Sequence, residues 1–198
     1  MKTKLLFLLF ALLFVSVVNA QENGQISANI GYVPARSEMG NGMNIELSYD
    51  HLLKDGLHYW FGGLGVNYYG TDLCSLEGNE KTNVNVGMDM YALCLRGGWI
   101  IPIGEKFMAK GVVESGVGYM QSHHIYDGLR YRTSNPTTIF GMGLSGIYNI
   151  NRCMGLSLDC KFLRFGNDNL QRGNDNASSS EPLQICPITY GLGLVVKF

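Results

Sequence analysis

The last eleven residues of the chain, ITYGLGLVVKF, carry a large apolar side chain at every second position. The residues between them are mostly small or polar. Successive side chains of a β-strand point to opposite faces, so this alternation predicts a strand with one apolar face. A protein core and a lipid bilayer would both accept such a face. Which of the two this face contacts decides what kind of protein the chain is.

The first twenty residues predict a secretory signal peptide that is cleaved after Ala20. Lys2 and Lys4 precede an apolar run from 5 to 18, and small residues follow it. The run is shorter than the roughly 20 residues of a spanning helix, and Gln21 is not the cysteine of a lipidated N-terminus. The predicted domains are therefore a signal peptide at 1–20 and a β-barrel domain at 21–198.

The charge of the exported chain argues against nucleic acid as a partner. Of the 15 Lys and Arg residues, two leave with the signal peptide, so 13 face 16 acidic residues. No basic stripe is present, although one is typical of nucleic-acid-binding proteins.

Alternation recurs in seven further segments, so the chain is predicted to form eight strands. They lie near Gln25–Val33, Met43–His51, His58–Tyr69, Val84–Trp99, Phe107–Met120, Phe140–Ile150, Gly155–Phe165 and Ile188–Phe198. In the fourth strand Val86, Met88 and Met90 are assigned to the apolar face. The faces of Tyr91–Trp99 stay ambiguous, because a bulge near Ala92 would exchange them.

The connections between these strands alternate between long and short. With an even number of strands, all short turns and both termini lie at one end, as in bacterial outer-membrane barrels. The third long connection contains Asp127-Gly128 between alternating flanks, which predicts a hairpin that projects beyond the membrane. Asn135-Pro136 is expected to interrupt the sixth strand near the membrane edge.

Two barrels fit this alternation, and they differ in which face lies inside. A soluble lipocalin-like barrel would enclose its apolar face and bind a small apolar ligand. A membrane barrel turns that face towards lipid. The faces opposite the apolar residues are rich in Gly, Ser and Asn, which suit a narrow lumen. Charges there are few and of both signs, and we expect them to pair inside the barrel. The predicted lumen charge network comprises Glu46, Asp50, Asp89, Lys110, Glu114, Asp159, Lys161 and Lys197.

Aromatic residues near the predicted strand ends also favour the membrane barrel. Tyr32, Tyr68, Trp99 and Tyr119 are examples that lie within a few residues of a turn or loop. Aromatic rings prefer the two membrane interfaces, where barrels display them as girdles.

On these residues the chain resembles small outer-membrane β-barrel proteins of the OmpA/OmpX type, over residues 25 to 198. The final strand resembles the C-terminal assembly signal of that class, carried here by Tyr190, Leu192, Leu194, Val196 and Phe198. The resemblance implies an all-β, eight-stranded, antiparallel up-and-down transmembrane barrel in the bacterial outer membrane, with both termini in the periplasm. It also implies outer-membrane lipid and the barrel-assembly machinery as partners.

The function expected from the sequence is structural or adhesive. The external loops, including the Asn- and Ser-rich loop near residues 166–180, are expected to meet surface proteins or host factors. A lipid A-modifying or peptide hydrolase is the alternative. Its candidates are Ser122, His123, His124 and Asp127, with Glu114 below them. An eight-stranded barrel is filled by side chains, so we do not expect a wide channel.

No cofactor or metal site is predicted, because neither a phosphate-binding glycine loop nor metal-ligand spacing is present. The five cysteines are irregularly spaced and show no disulfide framework. Cys74 and Cys186 both fall near long loops, so a bridge between them is one hypothesis.

Overall fold

The computed structural model describes residues 23–34, 39–55, 58–73, 86–126, 129–166 and 186–198, and these form eight strands. The predicted signal peptide lies outside the described residues. The strands are β1 (Gly24–Val33), β2 (Met39–Asp55), β3 (His58–Leu73), β4 (Val86–Ile103), β5 (Phe107–Tyr126), β6 (Leu129–Asn149), β7 (Met154–Gly166) and β8 (Ile188–Lys197).

Each strand pairs antiparallel with its neighbours in sequence, and β8 pairs with β1 to close a barrel. The closing ladder runs from Gln25↔Lys197 to Tyr32↔Tyr190. Beyond it, Gly24 and Phe198 each donate a backbone hydrogen bond of 3.0 Å to the other's carbonyl. The predicted eight-stranded up-and-down barrel is confirmed.

The two ends of the barrel differ in their connections. The described chain begins at Asn23 and ends at Phe198, and both residues lie at the end that carries the connections 56–57, 104–106 and 150–153. We call this the turn end. Gly104 has a φ of 81° there, a conformation that glycine adopts at little cost. The opposite end, the loop end, carries the connections 34–38, 74–85, 127–128 and 167–187.

Of the described ladders, the one between β5 and β6 extends farthest at the loop end. β5 pairs with β6 as far as Tyr126↔Leu129, whereas β4 pairs with β5 only to His123 and β7 with β6 only to Thr138. The predicted projection is therefore present, although the turn at 127–128 lies outside the described residues.

The predicted interruption at Asn135-Pro136 is wrong, because β6 continues through both residues. Pro136 pairs with Tyr119 on β5 and lies beyond Thr138, where the described ladder with β7 ends. Proline lacks a backbone N–H and is therefore found in sheets mainly at such strand margins.

The assignment of the faces of β4 needs a correction. Its ladders with β3 and β5 run without a register shift, so the bulge proposed near Ala92 is absent. Met88 and Met90 point into the barrel and are buried, whereas Tyr91 and Leu95 lie on the outside. The prediction failed because the interior near the loop end is itself apolar, so hydrophobicity does not mark the outer face there.

Many large aliphatic side chains point outwards, as a membrane barrel requires. Leu95, Leu144, Leu158 and Leu192 are each about two-thirds exposed or more. A soluble barrel would enclose such side chains, so the lipocalin-like alternative is wrong. Among the residues that the structure describes, no helix has the length and hydropathy to cross a membrane.

Candidate functional site

The centre of the barrel holds a group of six charged side chains, which we call the interior charge cluster. Three are acidic and three are basic, and each is nearly inaccessible to solvent. Its members are Glu46 and Asp50 on β2, Arg96 on β4, Lys110 and Glu114 on β5, and Lys161 on β7.

Ion pairs connect all six members of the cluster. Glu46 pairs with both Arg96 and Lys161. Asp50 lies 3.1 Å from Arg96 Nε and 2.6 Å from Lys110 Nζ. Lys161 Nζ also lies 3.4 Å from Glu114 Oε2, and this contact connects the sixth member to the others. Buried charges are tolerated only when they are paired in this way, and the formal charges of the six cancel.

Arg96 is the one member of the cluster that sequence reasoning missed. It contacts Glu46 and Asp50 together, so it joins the two carboxylates of β2. The planar guanidinium offers several donors in a fixed geometry, which suits it to bridge two carboxylates. Arg96 lies two residues after buried Cys94 and therefore on the same, inward face of β4. The sequence would have revealed this only if the inward face of β4 had been known.

Apolar side chains fill the barrel on both sides of the charge cluster. Towards the loop end, ten buried residues pack together. They are Val33, Tyr69, Met88, Met90, Ala92, Cys94, Met120, Ile139, Leu163 and Phe165. Towards the turn end, Phe61, Ile100 and Val112 form a second cluster, with Lys110 Nζ 4.6 Å from the centre of the Phe61 ring. The interior is thus a packed core rather than an open passage.

Asp159 and Lys197, two predicted members of the network, point inwards but take other partners. Asp159 accepts hydrogen bonds from Ser145 and from Ser157, the latter at 2.8 Å. Lys197 lies near the turn end and donates to Asn149 Oδ1 at 2.5 Å. No ion pair of either residue is seen among the described residues, so their place in the network stays a prediction.

The predicted position of Asp89 inside the barrel is wrong. Asp89 shares the parity of Tyr91 and Leu93, which are exposed on the outside of β4. There it accepts a hydrogen bond of 2.7 Å from the Tyr68 hydroxyl. The error follows from the exchanged faces of this strand, since Met88 and Met90 occupy the interior positions.

The outer face has an aliphatic band between two sets of aromatic side chains. Near the turn end, Trp60 pairs with Trp99 in the β3–β4 ladder. Near the loop end, the rings of Tyr68 and Tyr91 lie 5.2 Å apart. Two further pairs belong to the turn end, Phe107–Tyr148 at 5.1 Å and Tyr49–Phe198 at 6.5 Å, and Tyr32–Tyr190 belongs to the loop end.

The height of this band fits the hydrocarbon layer of an outer membrane. Tyr91 and Trp99 lie eight positions apart on β4, which is about 26 Å along a strand. A strand tilt of roughly 40° reduces this to about 20 Å along the barrel axis, close to the roughly 25 Å band of membrane barrels.

The residues of the predicted assembly signal lie on the outer face of β8 and at its end. Tyr190, Leu192 and Leu194 are exposed outwards, and Val196 is also exposed. Phe198 stacks against Tyr49 at the turn end. Their role in assembly stays a prediction.

The residues of the hydrolase alternative are not brought together by what the structure describes. His123 and His124 pair with Arg132 and Tyr131 in the β5–β6 ladder, and Ser122 precedes them. The side chains of all three, and Asp127 as a whole, lie outside the described residues. Glu114 points into the barrel interior, where it lies beside Lys161.

Metal binding and disulfide formation find no support in the described part of the chain. No three His, Cys, Asp or Glu side chains cluster there in a way that could hold a metal ion. Cys186 is a free thiol, against the hypothesis that it pairs with Cys74, which lies outside the described residues.

Comparison with solved structures shows the fold class. Neisserial surface protein A has a TM-score of 0.52 and 10% identity, with 88% of this chain and 96% of that chain covered. A major outer membrane protein from Thermus thermophilus has a TM-score of 0.52 and 14% identity, with 88% of this chain and 99% of that chain covered. No family model and no curated protein matches the sequence. The chain has the fold of small outer-membrane β-barrels, as the resemblance to the OmpA/OmpX type implies.

Proposed function

We propose that this chain is an integral outer-membrane protein whose filled barrel anchors the projecting β5–β6 hairpin for binding at the cell surface. The observation that carries the proposal is the extent of the hairpin. Its ladder continues past the last described pairs of both neighbouring strands, to Tyr126↔Leu129.

The membrane location is supported by the distribution of side chains between the two faces. Charged residues such as Glu46 and Lys161 are buried inside, whereas Leu95 and Leu158 are exposed outside. This distribution of charged and apolar side chains is the inverse of that in a soluble protein, and it suits a barrel surrounded by lipid.

The orientation follows from the lengths of the connections. Outer-membrane barrels have short periplasmic turns and longer external loops. The turn end, with Gly24 and Phe198, would therefore face the periplasm, and the loop end would face outwards.

A filled interior favours anchoring over transport. The charge cluster and the two apolar clusters occupy the barrel from near one end to the other. Eight strands leave a lumen just wide enough for side chains to fill. Binding is therefore assigned to the β5–β6 hairpin, which extends beyond the filled barrel.

The hairpin offers a sheet edge for recognition. The last described pair between β6 and β7 is Thr138↔Gly166, so β6 at 129–135 extends beyond the described ladder on that side. Exposed edges can accept an extended segment of another protein through backbone hydrogen bonds. A surface or host protein with an extended segment is the partner that this edge fits.

Shortening the hairpin tests the proposal. In one variant Asn-Gly replaces residues 123–132, so that Ser122↔Thr133 closes the ladder. A control variant replaces the connection 74–85 by a short linker. Both should fractionate with the outer membrane and shift on a gel upon heating. We expect adherence to epithelial cells to fall at least tenfold only for the shortened hairpin. Undiminished adherence of that variant, when folded, contradicts the surface-binding role.

A further inference from the structure

A groove crosses the outer face of the barrel over β2, β1, β8, β7 and β6, and we call it the outer groove. It has a volume of about 590 Å³, within the range of small-molecule sites. Its upper wall is a row of outward residues that pair from strand to strand. In order around the barrel they are Met43, Tyr32, Tyr190, Cys160 and Leu144.

The lower wall of the outer groove is aliphatic. Ile30 on β1, Leu192 on β8 and Leu158 on β7 form a second row of paired residues, and each is about two-thirds exposed. None of the side chains in the two walls carries a charge. Asp159 also borders the groove, but its carboxylate points into the barrel, where two serine hydroxyls donate to it. The groove therefore offers a mainly apolar surface.

The outer groove slopes from the loop end to the middle of the aliphatic band. Met43 lies near the loop end of β2, whereas Leu144 lies midway between Phe140 and Tyr148 on β6. The upper wall spans four strand spacings of roughly 4.8 Å, which is about 19 Å in all. Because the strands tilt by roughly 40°, the row descends about 12 Å along the barrel axis, half of the roughly 25 Å band of membrane barrels. The groove thus extends across one leaflet.

The position of the outer groove indicates what occupies it. The groove is continuous with the outward aliphatic face, which the proposed membrane location places in hydrocarbon. Irregular backbone exposed to lipid does not occur at that depth, so a loop does not fill the groove at Leu144 and Leu158. A second barrel is convex and would enter the groove over only part of its length. A lipid chain, by contrast, extends from the headgroups to the middle of the bilayer, as the groove does.

We infer that the outer groove holds one acyl chain of an outer-leaflet lipid. The chain begins at the Tyr32–Tyr190 pair, at the level expected for headgroups, and ends beside Leu144 and Leu158. The surrounding lipid is equally apolar, so the hydrophobic effect gives no preference for the groove. The preference comes from dispersion contacts with both walls. The inference rests on the proposed membrane location and orientation, but not on binding by the hairpin.

Native mass spectrometry of the full chain in detergent micelles counts bound lipids directly. The protein is titrated with dimyristoylphosphatidylethanolamine, and the dissociation constants of the first and second bound lipids are compared. We expect the first lipid to bind at least fivefold more tightly than the second. This preference should remain for phosphatidylglycerol with the same chains. It should disappear for dicaproyl lipids, whose chains are too short to fill the groove.

Two pairs of variants test the location of the site. Cys160→Phe fills the groove, whereas Ser115→Phe adds the same ring at an exposed position of β5 outside it. Leu158→Ala removes part of the lower wall, and Leu95→Ala removes a side chain of similar exposure on β4. Cys160→Phe and Leu158→Ala should weaken binding of the first lipid at least threefold. The two controls should change it less than 1.5-fold.

Several results would overturn the inference. They are equal affinities of the first and second lipids, a preference that follows the headgroup instead of the chain length, and undiminished binding by Cys160→Phe. A dimer that Cys160→Phe dissociates would assign the groove to a second copy instead. Because these measurements do not involve the hairpin, their failure is separate from a failure of the proposed surface-binding role.

Discussion

Lys161 on β7 and Glu46 on β2 form an ion pair across the interior of the barrel, although 115 positions separate them in the sequence. The two strands are not neighbours in the sheet. The pair therefore ties opposite walls together, and both residues are almost completely buried. The stability of the barrel should depend on such pairs as well as on the backbone ladder.

Glu46→Gln should destabilise the barrel strongly. The substitution removes the charge that Arg96 and Lys161 share, and it leaves excess positive charge buried in the interior. Removal of one partner of a buried pair typically costs about 3–5 kcal/mol. Reversible urea unfolding in lipid vesicles measures the free energy of unfolding.

Glu105→Gln is the control for that experiment, because Glu105 lies exposed in the turn at 104–106. Its free energy of unfolding should change by less than about 0.5 kcal/mol. Combining Glu46→Gln with Lys161→Met should cost less than the sum of the single changes, since the two residues interact directly. Equal stabilities of Glu46→Gln and Glu105→Gln would show that the cluster contributes nothing.

The packing of the interior can be tested with two glycines that face opposite ways. A Cβ added at Gly116 would clash with the Leu93 carbonyl oxygen and lie 2.7 Å from Cys94 Cα and 2.9 Å from Cys94 Sγ, whereas a Cβ at Gly146 would meet nothing within 4 Å. Gly116→Ala should therefore cost about 1–3 kcal/mol, as overpacking does. Gly146→Ala should change stability by less than about 0.5 kcal/mol. Similar unfolding curves for both variants would mean that the lumen has spare room.

A charge on the outer face should be costly only within the aliphatic band. Leu95 lies midway between Tyr91 and Trp99 on β4, whereas Ile103 lies beyond Trp99 at the turn end. Leu95→Arg should lower the free energy of unfolding in lipid vesicles by about 2–4 kcal/mol, and Ile103→Arg by about 0–1 kcal/mol. A cost that does not depend on position would disagree with the proposed depth of the barrel.

The sequence alone predicts most of the barrel. The alternation of apolar and polar residues indicates the strands, and their even number places the short turns at one end of the barrel and the long loops at the other. It predicts the inward positions of Glu46 and Lys161 for the same reason, since each lies opposite a clearly apolar face. On β4 this logic fails. Met88 and Met90 lie inside and Tyr91 and Leu95 outside, so both faces are apolar and parity cannot be read.

The remaining misses follow from interactions between distant strands. Arg96 is inward only because β4 is paired without a bulge, which depends on the register with both neighbours. Pro136 continues β6 because it pairs with Tyr119 on β5 beyond the last described pair with β7, at Thr138, which is a matter of tertiary structure.

Tryptophan fluorescence in brominated lipid tests most directly whether the outer face contacts hydrocarbon. The chain has two tryptophans, Trp60 and Trp99, and both are exposed on the outside near the turn end. In vesicles, the tryptophan fluorescence of the folded barrel should be quenched strongly by lipids brominated near the headgroup and less by lipids brominated near the chain ends. Quenching by aqueous iodide alone, with no effect of either brominated lipid, would contradict the membrane barrel.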